Sequence, residues 1–304
     1  MRITVVGAGV SGLTTAVALQ DAGHDVSVVA RAVGAATTSG AAGAVWYPFR
    51  ADPPDRVIAW ARDTRAHLIK LAESTPEAGV DVLTMYELVD LDDEPWWAPC
   101  VDGLELVNEG FRYPAKAAWR FQAPRVDPPI HLVWLESLLH RPVTIAEVAS
   151  LDDLDGDLVV NCTGLGARAL TGDESLIAIF GQTVIVEGGT FDRSVVLSDE
   201  RPDAAMFYAI PRRAEVLLGG CAIECPDDRA LVADPALRDA ILERARQAGY
   251  DSGPVLREKC GLRPYRSNVR LEREGRIIHN YGHGGAGFTL AHGCAQEVVS
   301  LANA

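Results

Sequence analysis

Lysine is scarce in this chain: only Lys70, Lys116 and Lys259 stand among 28 cationic residues, set against 42 acidic ones. The resulting formal charge of −14 leaves no basic face to neutralise phosphates, which argues against a nucleic-acid partner. No Lys/Arg run is long enough for a membrane-surface patch, and no stretch approaches the roughly 18 apolar residues of a membrane span. The six cysteines (100, 162, 221, 225, 260 and 294) form no Cys-x-x-Cys, and only Cys221 and Cys225 lie close together. Without a second pair or a nearby histidine set, zinc is not expected, and most of these thiols read as small buried hydrophobes. Internal repeats and low-complexity tracts are also missing. Met1-Arg2-Ile3-Thr4-Val5-Val6-Gly7 runs straight into a strand pattern without a signal-peptide cleavage region, and Leu301-Ala302-Asn303-Ala304 is no peroxisomal address. A soluble cytoplasmic protein is the expectation.

What is present is ordinary globular composition, 48% hydrophobic and 23% charged over 304 residues, enough for one large or two interlocked domains. Ile3, Val5 and Val6 predict a buried strand, and Gly7-Ala8-Gly9-Val10-Ser11-Gly12 follows it. Val10, Leu13 and Val17 then mark the inner face of a helix that Gly23 ends, and Asp25 to Ala30 is a second strand. Gly-x-Gly-x-x-Gly between a strand and a helix is a pyrophosphate cradle. Gly7 permits the tight turn, Gly9 lets the ligand approach the backbone, Gly12 lets helix pack on strand, and the helix N-terminus offers N–H groups. The acid that usually ends the second strand is absent, and Ala30-Arg31-Ala32 stands in its place. Arg31 either favours a phosphorylated ribose or stacks on, or hydrogen-bonds, an adenosine.

Further along, Asp52 to Asp55 and Trp96 to Pro99 read as loops or turns, Arg56 to Glu73 and Ile130 to Leu139 as helices, and Val143 to Val148 as a strand. Leu158 to Gly164 reads as a buried strand entering a glycine turn, so the nucleotide-binding fold resumes there after an insertion. Strands are predicted at 183–186, 206–210 and 215–218, and a helix at 230–248. Gly261 to Arg270 holds too many arginines among apolar residues for a plain loop. Ile277 to Thr289 is a strand breaking into a glycine-rich turn, with a helix from about 289 to 302. A second Gly-rich junction of this kind calls for the other end of the same large cofactor.

Taken together, these blocks resemble the D-amino acid oxidase family of FAD enzymes. The matching stretches, in family order, are Gly7 to Gly12; Thr37 to Gly43 with Trp46 and Pro48; Asn161-Cys162-Thr163-Gly164; Tyr208-Ala209-Ile210-Pro211; Gly261-Leu262-Arg263-Pro264 with Val269 to Arg273; and His279 to Gly285. They span residues 1 to 293, and the last block is highly specific. The resemblance implies an α/β protein in which a Rossmann-like FAD-binding domain (1–45, 140–180 and 255–304) is interleaved with an α+β substrate-binding domain built on a mixed sheet (46–139 and 181–254).

It also implies oxidative deamination of D-amino acids, neutral ones foremost. FAD takes the α-hydrogen as hydride and oxygen returns it to the oxidised state with release of hydrogen peroxide. The expected partners are a small D-amino acid and O2, with no nucleic acid, no membrane and no metal; a homodimer is the one assembly allowed for. Arg270 matches the carboxylate-binding arginine, Tyr208 a tyrosine donating to the same carboxylate, and the Gly285 carbonyl an acceptor for the amine, with Tyr47 facing the substrate. Gly7, Gly9, Val10, Ser11 and Gly12 would hold the pyrophosphate. Arg31, Thr37, Thr38 and Ser39 would lie along ribose and phosphates, with Val143 near adenine. Gly43, Ala44 and Val45 would line the ring, joined by Gly164, Gly284, Gly287, Phe288 and Thr289. No side-chain base is called for, so His279, His283 and His292 are expected to be structural. The stretch before Tyr208, Asp199 to Phe207, is short and lacks the extra tyrosine of animal members, which implies an open entrance. A D-aspartate oxidase, with a second cation from Arg50, Arg212 or Arg213, and a glycine or sarcosine oxidase are the alternatives within the fold; a flavoprotein without catalysis is the one outside it.

Overall fold

The computed structural model describes every residue except 49–50, 52, 91–93, 112–114, 202–204, 214 and 228. The strand Arg2–Val6 has β-branched side chains toward both faces and occupies the middle of a parallel block. Asp25–Ala30 and then Thr144–Ile145 lie on one side of it, Leu158–Asn161 and Ile277–His283 on the other. Helices Val10–Asp21 and Gly287–Asn303 pack together, and Pro54–Ser74 packs on the second of them.

Beyond Ile277–His283 the same sheet continues through the 20-residue strand Val255–Glu274. Next in order come Ile177–Glu187, Glu215–Gly219, Phe207–Arg212, Val195–Asp199, Val80–Val89, Ala117–Val126 and Glu105–Val107. These pairings are antiparallel except Val80–Val89 with Val195–Asp199. The sheet is therefore mixed and continuous. Its main core joins Ile3, Val5, Leu13 and Leu19 to Trp46, Trp60, Phe121 and Leu132, and a second core lies where Val184, Val186, Phe207 and Leu218 meet Ile241 of the helix Pro235–Gln247.

Several expected elements shift. The strand expected at 143–148 contracts to Thr144–Ile145, and the helix expected from 230 starts at Pro235, where the Asp234 carboxylate caps the Ala236 N–H at 2.8 Å. Of the loop expected at 52–55, residue 52 lies outside the described residues and Pro54 already opens the helix Pro54–Ser74, with Asp55 at its positive end.

Candidate functional site

The parallel strands end at a cavity of about 970 Å³ that runs on under the antiparallel half of the sheet. At one end Gly7 adopts φ +109°, and a β-carbon there would stand 2.4 Å from the Cys162 carbonyl oxygen. Only glycine makes this turn. Gly9, Val10 and Ser11 line the cavity, and the helix they open carries no acidic residue in its first turn to cancel its dipole. Gly12 does not line it: a β-carbon there would lie 1.9 Å from the Gly7 carbonyl oxygen, so this glycine serves helix-to-strand packing. The Ser39 hydroxyl accepts from the Val10 N–H at 3.0 Å, and Thr37, beside Thr38 on the wall, donates to the Gly34 carbonyl at 2.7 Å. Arg31 closes this end opposite Glu147 and Val148. Val143 is not there. Val143 precedes the strand Thr144–Ile145 and packs on the main core, while Ala146 to Ala149, just past the strand's end, line the cavity.

The middle of the cavity is apolar. Gly43, Ala44 and Val45 form one wall, fixed from behind by Trp46, whose indole N–H donates to the Ala61 carbonyl at 3.0 Å. Gly164, Gly284, Gly287 and Phe288 also line it. Thr289 does not: its hydroxyl donates to the Tyr47 carbonyl at 2.9 Å and accepts from the Tyr47 N–H at 3.1 Å, so it holds a wall residue in place. His283 lies between Asn280 (3.0 Å) and Ser11 (3.5 Å), and burial lowers its pKa to about 4, which keeps the ring neutral. His279 contacts Asn161 and Glu274, and His292 stacks on His67 away from the cavity.

At the far end Tyr208, Gly285, Tyr47 and Glu200 line the cavity with Arg263, which interacts with Tyr208; Arg229 is on the wall as well, its guanidinium stacked over the Phe180 ring at 3.9 Å. Arg263 donates to the Cys221 carbonyl at 2.9 Å and lies over Gly181, where an added β-carbon would stand 2.5 Å from its Nη1. Burial pushes the Tyr208 phenol above its ordinary pKa, while the positive charge of Arg263 pulls it back. Burial also raises Glu87, behind Tyr47, well above the usual carboxyl range, and Glu200 adds to that push.

Arg270 is elsewhere. It follows a register irregularity between Tyr265 and Arg270 and donates to Glu272 at 2.7 Å and to the Tyr281 hydroxyl at 2.9 Å; Tyr281 lines the cavity, but Arg270 does not. Arg263 stood in the same run but the sequence did not single it out; in the structure it shares a strand face with Gly261, two residues earlier, where an added β-carbon would lie 3.2 Å from Ala41 of the wall. Of the other cations considered, Arg212 donates to the Gly43 carbonyl from behind the wall and Arg213 does not reach the cavity; Arg50 lies outside the described residues, as does part of the short stretch before Tyr208.

The cavity suits a dinucleotide with a flat ring. Backbone donors gather at one end and apolar walls in the middle, and the Thr183 hydroxyl on the wall is buried with no partner among the described residues. Residues 2–301 match the DAO family, FAD dependent oxidoreductase, and the chain belongs to that family. It is therefore an oxidoreductase with FAD as its cofactor. It is 39% identical to a D-amino-acid oxidase of Rubrobacter xylanophilus, with 100% of this chain and 96% of that protein covered. Identity to a D-amino-acid oxidase of Streptomyces coelicolor is 38% (99% and 97% covered), and to a human D-aspartate oxidase 30% (99% and 94%). A solved glycine oxidase from Bacillus cereus, 19% identical, superposes with a TM-score of 0.80 over 99% of this chain and 96% of its own, so the two share a fold. No helix among the described residues is long and apolar enough to cross a membrane.

Proposed function

We propose that the protein is a D-amino acid oxidase acting on neutral D-amino acids, with O2 as electron acceptor. The observation that carries this reading is Arg263 on the cavity wall with Tyr208, sharing that end with Gly285. A planar guanidinium makes two parallel hydrogen bonds to a carboxylate, and the Tyr208 hydroxyl adds a third. The Gly285 carbonyl accepts from the substrate amine. With two substituents of the α-carbon fixed, only one enantiomer directs its α-hydrogen at the ring wall while its side chain runs toward Tyr47. Bound FAD supplies the acceptor that takes this hydrogen as hydride and passes the electrons to oxygen, giving hydrogen peroxide, while the imino acid hydrolyses to a 2-oxo acid and ammonia. The residues bind and orient, and none serves as a base.

A preference for D-aspartate is disfavoured, because Glu200 stands on the wall beside Tyr47 and Tyr208 with Glu87 buried behind. The same reading assigns segments 1–45, 140–180 and 255–304 to the FAD-binding domain, from which Arg263 and Gly285 also reach the substrate, and 46–139 and 181–254 to the substrate-binding domain. The test is peroxide release from D-Ala, D-Met, D-Asp, glycine and the L-enantiomers. D-Ala and D-Met should lead; equal rates with L-Ala, or D-Asp or glycine as the best substrate, contradict the reading. Turnover should also rise with pH as the substrate amine loses its proton, and a flat profile with chemistry rate-limiting contradicts a hydride leaving a neutral amine.

A further inference from the structure

The stretch Gly40–Gly43, of which Ala41, Ala42 and Gly43 line the cavity just before Ala44 and Val45, is held from outside by two cations that the substrate anchors do not use. Lys259 Nζ donates to the Gly40 carbonyl at 3.1 Å, and Arg212 Nη2 donates to the Gly43 carbonyl at 2.5 Å. Lys259 comes from the same strand as Arg263. Lys259, Gly261 and Arg263 alternate onto one face, with Gly261 leaving room for Ala41 between the two cations. Lys259 is half-buried, and burial lowers its pKa, with Arg212 and Arg257 adding to the effect.

Around Lys259 the charges cancel only in part: Lys259, Arg212 and Arg257 face Asp127 and Glu215, a surplus of one positive charge. Arg257 pairs with Glu215, Arg125 with Asp81, and Arg212 stands 3.5 Å from Asp127. The one polar contact at hydrogen-bond distance that Lys259 makes among the described residues is a carbonyl oxygen, so its charge is not neutralised by a direct carboxylate partner. In a chain of net charge −14 this is a locally positive backing to one wall.

We infer that Lys259, together with Arg212, is a positioning residue for FAD: it fixes the Gly40–Gly43 wall and places positive charge behind it, which raises the electron affinity of the ring seated there. The inference rests on the proposal that Gly43, Ala44 and Val45 face the ring. At an effective dielectric near 20, a unit charge a few ångströms behind such a wall is worth about an order of magnitude in an equilibrium that adds negative charge to the ring.

The test uses the FAD-loaded protein and sulfite, an anion whose addition to oxidised flavin bleaches the visible band, together with the reduction potential by dye equilibration. Lys259→Met should weaken sulfite binding at least tenfold and lower the potential, while Lys259→Arg should stay within about threefold of the parent, because the charge persists. Arg212→Lys keeps its charge too and should likewise stay within about threefold of the parent, and a loss there as large as in Lys259→Met overturns the inference. Sulfite affinity and potential unchanged in Lys259→Met, with FAD still bound, overturn the inference and leave the oxidase reading intact. An equal loss in Lys259→Arg and Lys259→Met also overturns it, since the effect would then be one of packing. Parent protein that takes up no FAD overturns the oxidase reading and the inference together.

Discussion

At the scale of single residues, the account turns on which arginine meets the substrate. Losing a charge-assisted contact costs about 1.5–3 kcal/mol, so Arg263→Ala should raise KM for D-alanine by roughly 10- to 150-fold while FAD stays bound. Arg263→Lys should recover little, because a point charge cannot reproduce the fork. Arg270→Ala should leave KM within about twofold, as its partners are Glu272, Glu274 and Tyr281. Steady-state kinetics on the three variants decide the assignment, and a large KM effect confined to Arg270 would reverse it. Gly181→Ala is a finer probe: its methyl would stand 2.5 Å from the Arg263 Nη1, so it should raise KM without loosening FAD. The sequence displayed both arginines in one run. What it did not display was the register irregularity after Tyr265, which only pairing with Ile277–His283 defines. Thr289 and Val143 were misplaced for reasons of the same kind: the first is used up on the Tyr47 backbone, and the second stands before the strand Thr144–Ile145, whose far end meets the cavity.

Among elements, the helices Pro54–Ser74, Pro128–Ser137 and Gly287–Asn303 bring together histidines with no part in the proposed chemistry. The His67 and His292 rings stack at 3.8 Å with an interplanar angle of 5°, and His131 contacts the Ala78 carbonyl at 2.8 Å. Burial lowers His67 and His131 to about 4. In the unfolded chain these groups return to about 6.5, so the unfolded state binds more protons between the two values. Stability is therefore full above pH about 6.5 and declines as pH falls toward 4. Urea midpoints of the FAD-loaded protein across that window should fall with acid, and His67→Phe should flatten the slope; an unchanged slope would mean that His67 takes up its proton as readily in the folded as in the unfolded state. The parallel strands other than Thr144–Ile145 were legible because each is a short apolar, β-branched run beside a glycine turn. The strand Val255–Glu274 was not, because its arginines, Pro264 and a largely exposed first turn of residues mimic an irregular segment.

Across the whole molecule, the continuous mixed sheet puts the dinucleotide end and the carboxylate end in one cavity, which is why distant stretches of sequence had to be read together. Such coupling has a thermodynamic consequence. FAD at 100 times its Kd should add about 2.7 kcal/mol to folding, so melting of the apo form should shift upward with added FAD. A melting temperature indifferent to FAD would mean that the folded apo form does not bind it in preference to the unfolded chain. The central claim, an arginine and a tyrosine presenting one enantiomer to the flavin, is tested most directly by mixing the FAD-loaded protein with alanine in the absence of oxygen and following the visible absorbance. The account expects rapid bleaching by D-alanine, none by L-alanine, and recovery of colour when air is admitted. Bleaching at similar rates by both enantiomers, or by D-alanine in Arg263→Ala as fast and at as low a concentration as in the parent, would contradict it.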